Sequence, residues 1–321
     1  MAYQPNITDL KRMLGINLFL DLDEHALMNT RQQGLVCSFL GLRLSSVFQP
    51  IVKADGEIIG REALLRSDIV KDGRLAPRAA FEHAAAAHKL VSFDRLVRTI
   101  HLLNHANVFD EHELLFLNVH PQLLTSVRDH GRTFEQILHY YSIPTAQVVI
   151  EIQEAAVKDD ARLEEAVNNY RSLGYRIAVD NFGSGHGSLD KLFHPKPGHN
   201  KLSSIEGMGW LNRVVNLQPD FVKLDEAVMR QAETDVQALQ VLHRLVNLFH
   251  GIGVKVVVQN IETKKQLDIA RNAGADLMQG NYLGRPELVS EARGRLYTTT
   301  GQSPKLSNDD SQVAGYVEVS G

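Results

Sequence analysis

The chain has 321 residues, 44% hydrophobic and 22% charged, with a formal net charge of −4. That length suits one large α/β barrel or two ordinary domains. The balance of 34 basic to 38 acidic side chains lacks the basic excess of a nucleic-acid binder. The lone Cys37 excludes an intramolecular disulfide framework and any multi-cysteine metal site. Residues 1–20 lack the basic flank and apolar core of a signal peptide. No apolar run approaches the ~20 residues a spanning helix needs. The expectation is a soluble, cytoplasmic protein without a membrane span.

In chain order, residues 1–40 carry apolar positions at helical spacing (Leu10, Met13, Leu14, Leu18) and are expected to form an N-terminal helical segment. Residues 41–297 are expected to form the main domain. Ser45–Val52 and Glu57–Leu65 are strand-like around the turn Ala54-Asp55-Gly56, which predicts an antiparallel first pair. Pro77–Lys89 and Val91–Asn104 are predicted helices, with Pro77 in a first turn. Predicted strands follow at Leu114–Val119, Gln147–Ile152, Tyr175–Asn181, Asp220–Leu224, Val254–Gln259 and Asp276–Gln279, with helical stretches between them. Phe193–Asn216 breaks the rhythm with Pro195, Pro197, Gly198, Gly207 and Gly209 and is expected to be an irregular insertion. Residues 298–321 are polar and expected to be a disordered tail.

The apolar runs end at Glu62, Asn118, Glu151, Asp180, Lys223, Gln259 and Gln279. Strands alternating with helices build a parallel sheet, and closure into a (β/α)8 TIM-type barrel brings every strand's carboxyl end to one rim. Residues more than 200 positions apart then share a pocket.

At Phe48–Val52 and Arg61–Arg66 (REALLR) the sequence resembles the EAL family of cyclic-di-GMP domains. Further blocks follow in the family's order: Leu117-Asn118-Val119, Glu151–Glu154, Val179–Gly185, Asp220–Asp225, Ile261-Glu262-Thr263 and Ala275–Pro286. The resemblance covers about residues 42–290. It implies an α/β barrel with an antiparallel first strand pair, and hydrolysis of cyclic-di-GMP to pGpG with two Mg2+ or Mn2+ ions. Two such metals polarise the phosphate, lower the pKa of bridging water and stabilise the leaving oxygen. By motif position, Glu62, Asn118, Glu151 and Asp180 match the first metal's ligands, and Lys223 the lysine that positions the attacking water. Gln49, Leu65, Arg66, Asp94, Asn118, Pro121, Gln279 and Pro286 match positions near the nucleotide. Glu262 matches the glutamate that braces the glycine-rich loop after Asp180.

The chain departs from the family at the second metal. The adjacent aspartates of the family read Asp180-Asn181, and its Ala-Glu-Gly-Val-Glu reads Val258-Gln259-Asn260-Ile261-Glu262. Asn181 and Gln259 are neutral amides where the family has charge, and an amide is no general base at neutral pH. The resemblance therefore implies one Mg2+ or Mn2+ site, a weakened or lost second one, and a cyclic-di-GMP receptor with weak or no hydrolysis. The alternatives are a slow metal-dependent phosphodiesterase and a protein-interaction domain that no longer binds nucleotide. In relatives the region after the glycine-rich loop helps form homodimers. The insertion at 193–216, with the sole tryptophan Trp210, is thus expected either to shape a homodimer or protein-partner surface or to be a solvent-exposed loop.

Overall fold

The structure is a computed structural model, described over residues 6–292 except 19, 21, 23–25, 70–72, 110–111, 128–130, 158–160 and 185–208. The strands are β1 (Leu27–Thr30), β2 (Gly34–Phe39), β3 (Leu42–Val52), β4 (Ile58–Ile69), β5 (Gly73–Leu75), β6 (Leu114–Asn118), β7 (Val148–Gln153), β8 (Arg176–Phe182), β9 (Phe221–Leu224), β10 (Lys255–Val258), β11 (Leu277–Met278) and β12 (Glu287–Leu288). Strands β4, β6, β7, β8, β9, β10 and β11 pair in parallel in that order. Strand β3 closes the barrel, antiparallel to β4 on one side and to β11 on the other. The eight-stranded barrel with an inverted first strand is the architecture the sequence predicted.

Strand alternation decides what faces the barrel axis. Ile51, Leu114, Phe116, Val149, Ala178, Phe221, Val257 and Leu277 form an apolar cluster separate from the larger one between sheet and helices. A strand returns to the same face every second residue. The positions two residues beyond this plug toward the rim are Gln49, Asn118, Glu151, Asp180, Lys223, Gln259 and Gln279. Polar chemistry thus forms the next layer above an apolar floor.

The helices are α1 (Ile7–Leu18), α2 (Pro77–Ala86), α3 (Leu90–Ala106), α4 (Pro121–Ser126), α5 (Arg132–Tyr140), α6 (Ala161–Ser172), α7 (Gly209–Leu217), α8 (Glu226–Thr234), α9 (Val236–Gly251) and α10 (Lys264–Asn272). Their starts follow local chemistry. Pro77 opens α2, the Asp225 and Asp235 side chains accept from the first-turn N–H groups of α8 and α9, and Thr263 with Gln266 forms a capping box on α10.

Two expectations are corrected. Residues 1–40 are not helical throughout: among the described residues of this stretch only α1 is, and β1 and β2 form a hairpin on the outer end of β3. Leu35, Val36 and Cys37 are consecutive buried residues, a strand signature, and Gly34 takes a positive φ of 66° at the turn. Asn104 of α3 clamps the hairpin by accepting from the Leu35 N–H (2.7 Å) and donating to its carbonyl (2.9 Å). The stretch 193–216 is not irregular to its end, because α7 begins at Gly209 and includes Trp210. The remainder of that stretch, and residues 298–321, lie outside the described residues. No described helix is long and apolar enough to cross a membrane.

Candidate functional site

At the rim, Lys223 of β9 is fully buried, and its ammonium reaches carboxylates from three strands. Its Nζ donates to Glu151 Oε1 (2.6 Å) and Glu62 Oε2 (2.8 Å) and lies 3.5 Å from Asp180 Oδ1. The Asn118 amide bridges Glu62 Oε1 (3.0 Å) and Glu151 Oε2 (2.9 Å). Gln279 donates to Glu62 Oε2 (2.8 Å) and to Gln49 Oε1 (3.2 Å). Gln49 in turn donates to the Gly284 carbonyl at 3.1 Å. Six strands thus meet in one hydrogen-bonded cluster.

The charge in this cluster is lopsided. Three carboxylates face one ammonium, which leaves two negative charges uncompensated when all are ionised. Burial and the neighbouring Glu62 push Glu151 well above the usual carboxylate range, and burial also raises Asp180. Burial works the same way on Glu62, but Lys223 and the Gln279 and Asn118 amides outweigh it and keep that carboxyl low. The Lys223 ammonium is disfavoured by burial, yet the three carboxylates push it well above its ordinary value.

Asp180 and Asn181 both line the cavity although they are adjacent in sequence. A register shift between β8 and β9 falls at Val179/Phe182, and Asn181 takes a positive φ of 55°. A bulge of this kind re-aims a side chain that alternation would turn away. Asn260 also has a positive φ, 56°, a conformation Asn tolerates better than most side chains.

The polar cavity is about 300 Å3 and lined by Gln49, Glu62, Asn118, Gln153, Asp180, Asn181, Gln259, Asn260 and Gln279. Asn118 and Gln153 also line an adjoining cleft of about 630 Å3 that holds Leu65, Arg66, Asp94 and Pro121. Asp94, matched by motif to a position near the nucleotide, lines this cleft. It is buried, paired with Arg98 Nη2 at 2.5 Å, and accepts from the His120 N–H at 3.1 Å. Pro286 and Glu262 line neither space. Glu262 accepts from Asn281 at 2.9 Å, while the Gly183 N–H at the start of the glycine-rich loop donates to Glu154 at 2.7 Å. The sequence reading passed over Gln153 and Glu154. Strand alternation from Glu151 places Gln153 on the same face, so that signal was available; nothing local marked Glu154.

The donor set suits a hard divalent cation. It offers carboxylate and amide oxygens alone, and the buried Gln279 Oε1 has no hydrogen-bond partner. Lys223 stands among the carboxylates, and no cluster of three or more His, Cys, Asp or Glu side chains among the described residues is disposed around a common metal position.

The inverted strand in a closed barrel and a polar rim cluster define an α/β-barrel domain with a carboxylate- and amide-lined mouth. The EAL domain profile matches residues 38–204 and 205–286, so the chain belongs to the EAL domain family. It is 26% identical over 247 residues to the cyclic di-GMP phosphodiesterase RocR of Pseudomonas aeruginosa, covering 74% of this chain and 56% of RocR. The chain thus spans little more than half of that relative. Its fold matches a standalone EAL protein of Vibrio cholerae O395 in a c-di-GMP-bound form, with TM-score 0.60 and 23% identity over 77% of this chain and 93% of that one. It likewise matches Klebsiella pneumoniae BlrP1 in a manganese and cyclic-di-GMP complex, with TM-score 0.60 and 22% identity over 83% and 58%.

Proposed function

We propose that this chain is a cyclic-di-GMP-binding EAL domain that acts as a signalling receptor, seats one divalent cation, and hydrolyses its ligand weakly or not at all. The observation that carries the reading is the contact between Gln259 and Asp180, in which the Gln259 amide donates to Asp180 Oδ1 at 3.0 Å. A neutral donor stands where the family has a carboxylate, so Asp180 is engaged by an amide that supplies neither charge nor basicity.

Charge balance supports a single cation. The uncompensated charge of three carboxylates against Lys223 equals that of one Mg2+ or Mn2+. Two more carboxylates, at 181 and 259, would be needed to balance a second ion. Glu62, Glu151, Asp180 and the Asn118 amide oxygen are the residues that would hold the one ion. When bound, such an ion would polarise the ligand's phosphodiester and neutralise the cluster. Arg66, half-buried beside the large cleft, is suited to a phosphate oxygen. Leu65, Pro121 and Phe81 offer apolar contact to one purine half in the same cleft.

The retained Lys223–Glu62–Glu151 contacts favour a second reading, a slow metal-dependent phosphodiesterase giving pGpG. Calorimetric titration of cyclic-di-GMP with Mg2+ or Ca2+, followed by chromatography of pGpG, separates the readings. Saturable, EDTA-sensitive binding with little product is expected. Rapid turnover overturns the receptor reading, and absent heat favours a domain that no longer binds nucleotide.

A further inference from the structure

A second cavity, of about 380 Å3, lies outside the barrel at the amino-terminal ends of β6 and β7, the opposite end from the carboxylate cluster. Leu102, Leu103, Phe109, Leu115, Tyr141 and Val148 give it an apolar lining, and its size falls within the roughly 300–1,000 Å3 of small-molecule sites. His105 also lines it. That residue is 2% exposed, and its Nε2 has no hydrogen-bond partner. A buried polar atom left unpaired costs about 1–3 kcal/mol, so a group that satisfies it gains from doing so. Burial pushes the His105 imidazole down to about 3, so the ring is neutral at physiological pH and has one donor and one acceptor nitrogen.

We infer that this cavity binds a small aromatic alcohol, the ring seated among the leucines and Phe109 and the hydroxyl hydrogen-bonded to His105. A hydroxyl both gives and takes a hydrogen bond, so it satisfies Nε2 in either tautomer of the ring. A charged ligand is disfavoured, because the Arg61–Glu113 ion pair nearby is already closed at 2.7 Å and the lining holds no Asp, Glu, Lys or Arg, its other imidazole being His112. The walls also touch the first strand pair. The His105 ring packs on Phe48 at 5.9 Å and on Phe109 at 5.0 Å, and the Arg61 guanidinium lies 4.2 Å over Phe109. Phe48 and Arg61 are the chain neighbours of the rim residues Gln49 and Glu62.

The test uses phenol and its near-isostere toluene as probes, titrated into the full chain by calorimetry and by the 15N shift of the His105 ring. Phenol is expected to bind saturably, about tenfold more tightly than toluene, and to move the ring signal. His105→Phe is expected to bring the two probes to equal affinity by removing the ring nitrogens. Leu103→Trp, which fills the cavity and leaves His105 in place, is expected to abolish both. Equal affinities for the unmodified chain overturn the assignment, as does the lack of saturable binding of phenol at millimolar concentration. Phenol binding that survives Leu103→Trp overturns it as well.

Discussion

The side-chain amide of Gln259 donates to Asp180 Oδ1 at 3.0 Å, joining the end of β10 to the bulge in β8. With Asn181 beside it, this contact sets two neutral amides next to the Asp180 carboxylate, and under the proposed reading carboxylates at 181 and 259 would complete a two-metal site. Asn181→Asp together with Gln259→Glu is therefore expected to raise pGpG formation at least 100-fold in Mn2+, about 2.7 kcal/mol of barrier. Each single change is expected to do much less. Chromatographic rates for the four proteins check this, and a double variant no faster than the singles places the defect elsewhere.

Lys223 is the lone ammonium among three buried carboxylates. Lys223→Ala is expected to cost about 3–5 kcal/mol of stability in EDTA, the usual effect of leaving buried charge unpaired. Added Mg2+ should restore part of it, because a cation takes over the neutralising role. Urea midpoints with and without metal measure both effects.

Asn104 ties the N-terminal hairpin to the barrel through Leu35 and also donates to Ser46 Oγ at 3.2 Å. Asn104→Ala leaves two buried backbone groups unpaired and is expected to cost about 2–4 kcal/mol. Hydrogen exchange at Leu35 should accelerate, while exchange in β7 and β8 stays slow.

His101 and His105 are buried on α3, and burial pushes both imidazoles down to about 3. An unfolded chain takes up these protons near pH 6.5, whereas the folded one does so only near 3. The unfolded state binds more protons in between, so stability falls as pH drops through this window, by about 1.4 kcal/mol per pH unit for each histidine. Urea unfolding at pH 7, 6 and 5 is expected to show that acid slope, and His101→Gln to lower it by about half. A slope unchanged in the variant would show that other groups govern acid unfolding.

The barrel was legible because buried parallel strands read as short apolar runs, and each run here stops at a polar residue of the rim. The helical reading of residues 1–40 failed at Leu27–Phe39 because that stretch is a hairpin whose pairing partner, β3, and whose clamp, Asn104, lie elsewhere in the chain. The contacts of Asp94 were not legible for a related reason. Its place in a helical stretch says nothing of burial, and only the packing of α3 beneath His120 shows that both its oxygens are taken.

Sequence by itself determined the family, the strand order and the identity of the rim residues, since alternation and motif order are local properties of the chain. The tertiary structure alone decided which of those residues touch. Lys223 reaches across to Glu62, 161 positions away, and Gln259 meets Asp180 across 79. Hydrogen bonds and buried charge depend on distances of a few ångströms, and closure of the barrel sets those distances for residues that share no local sequence.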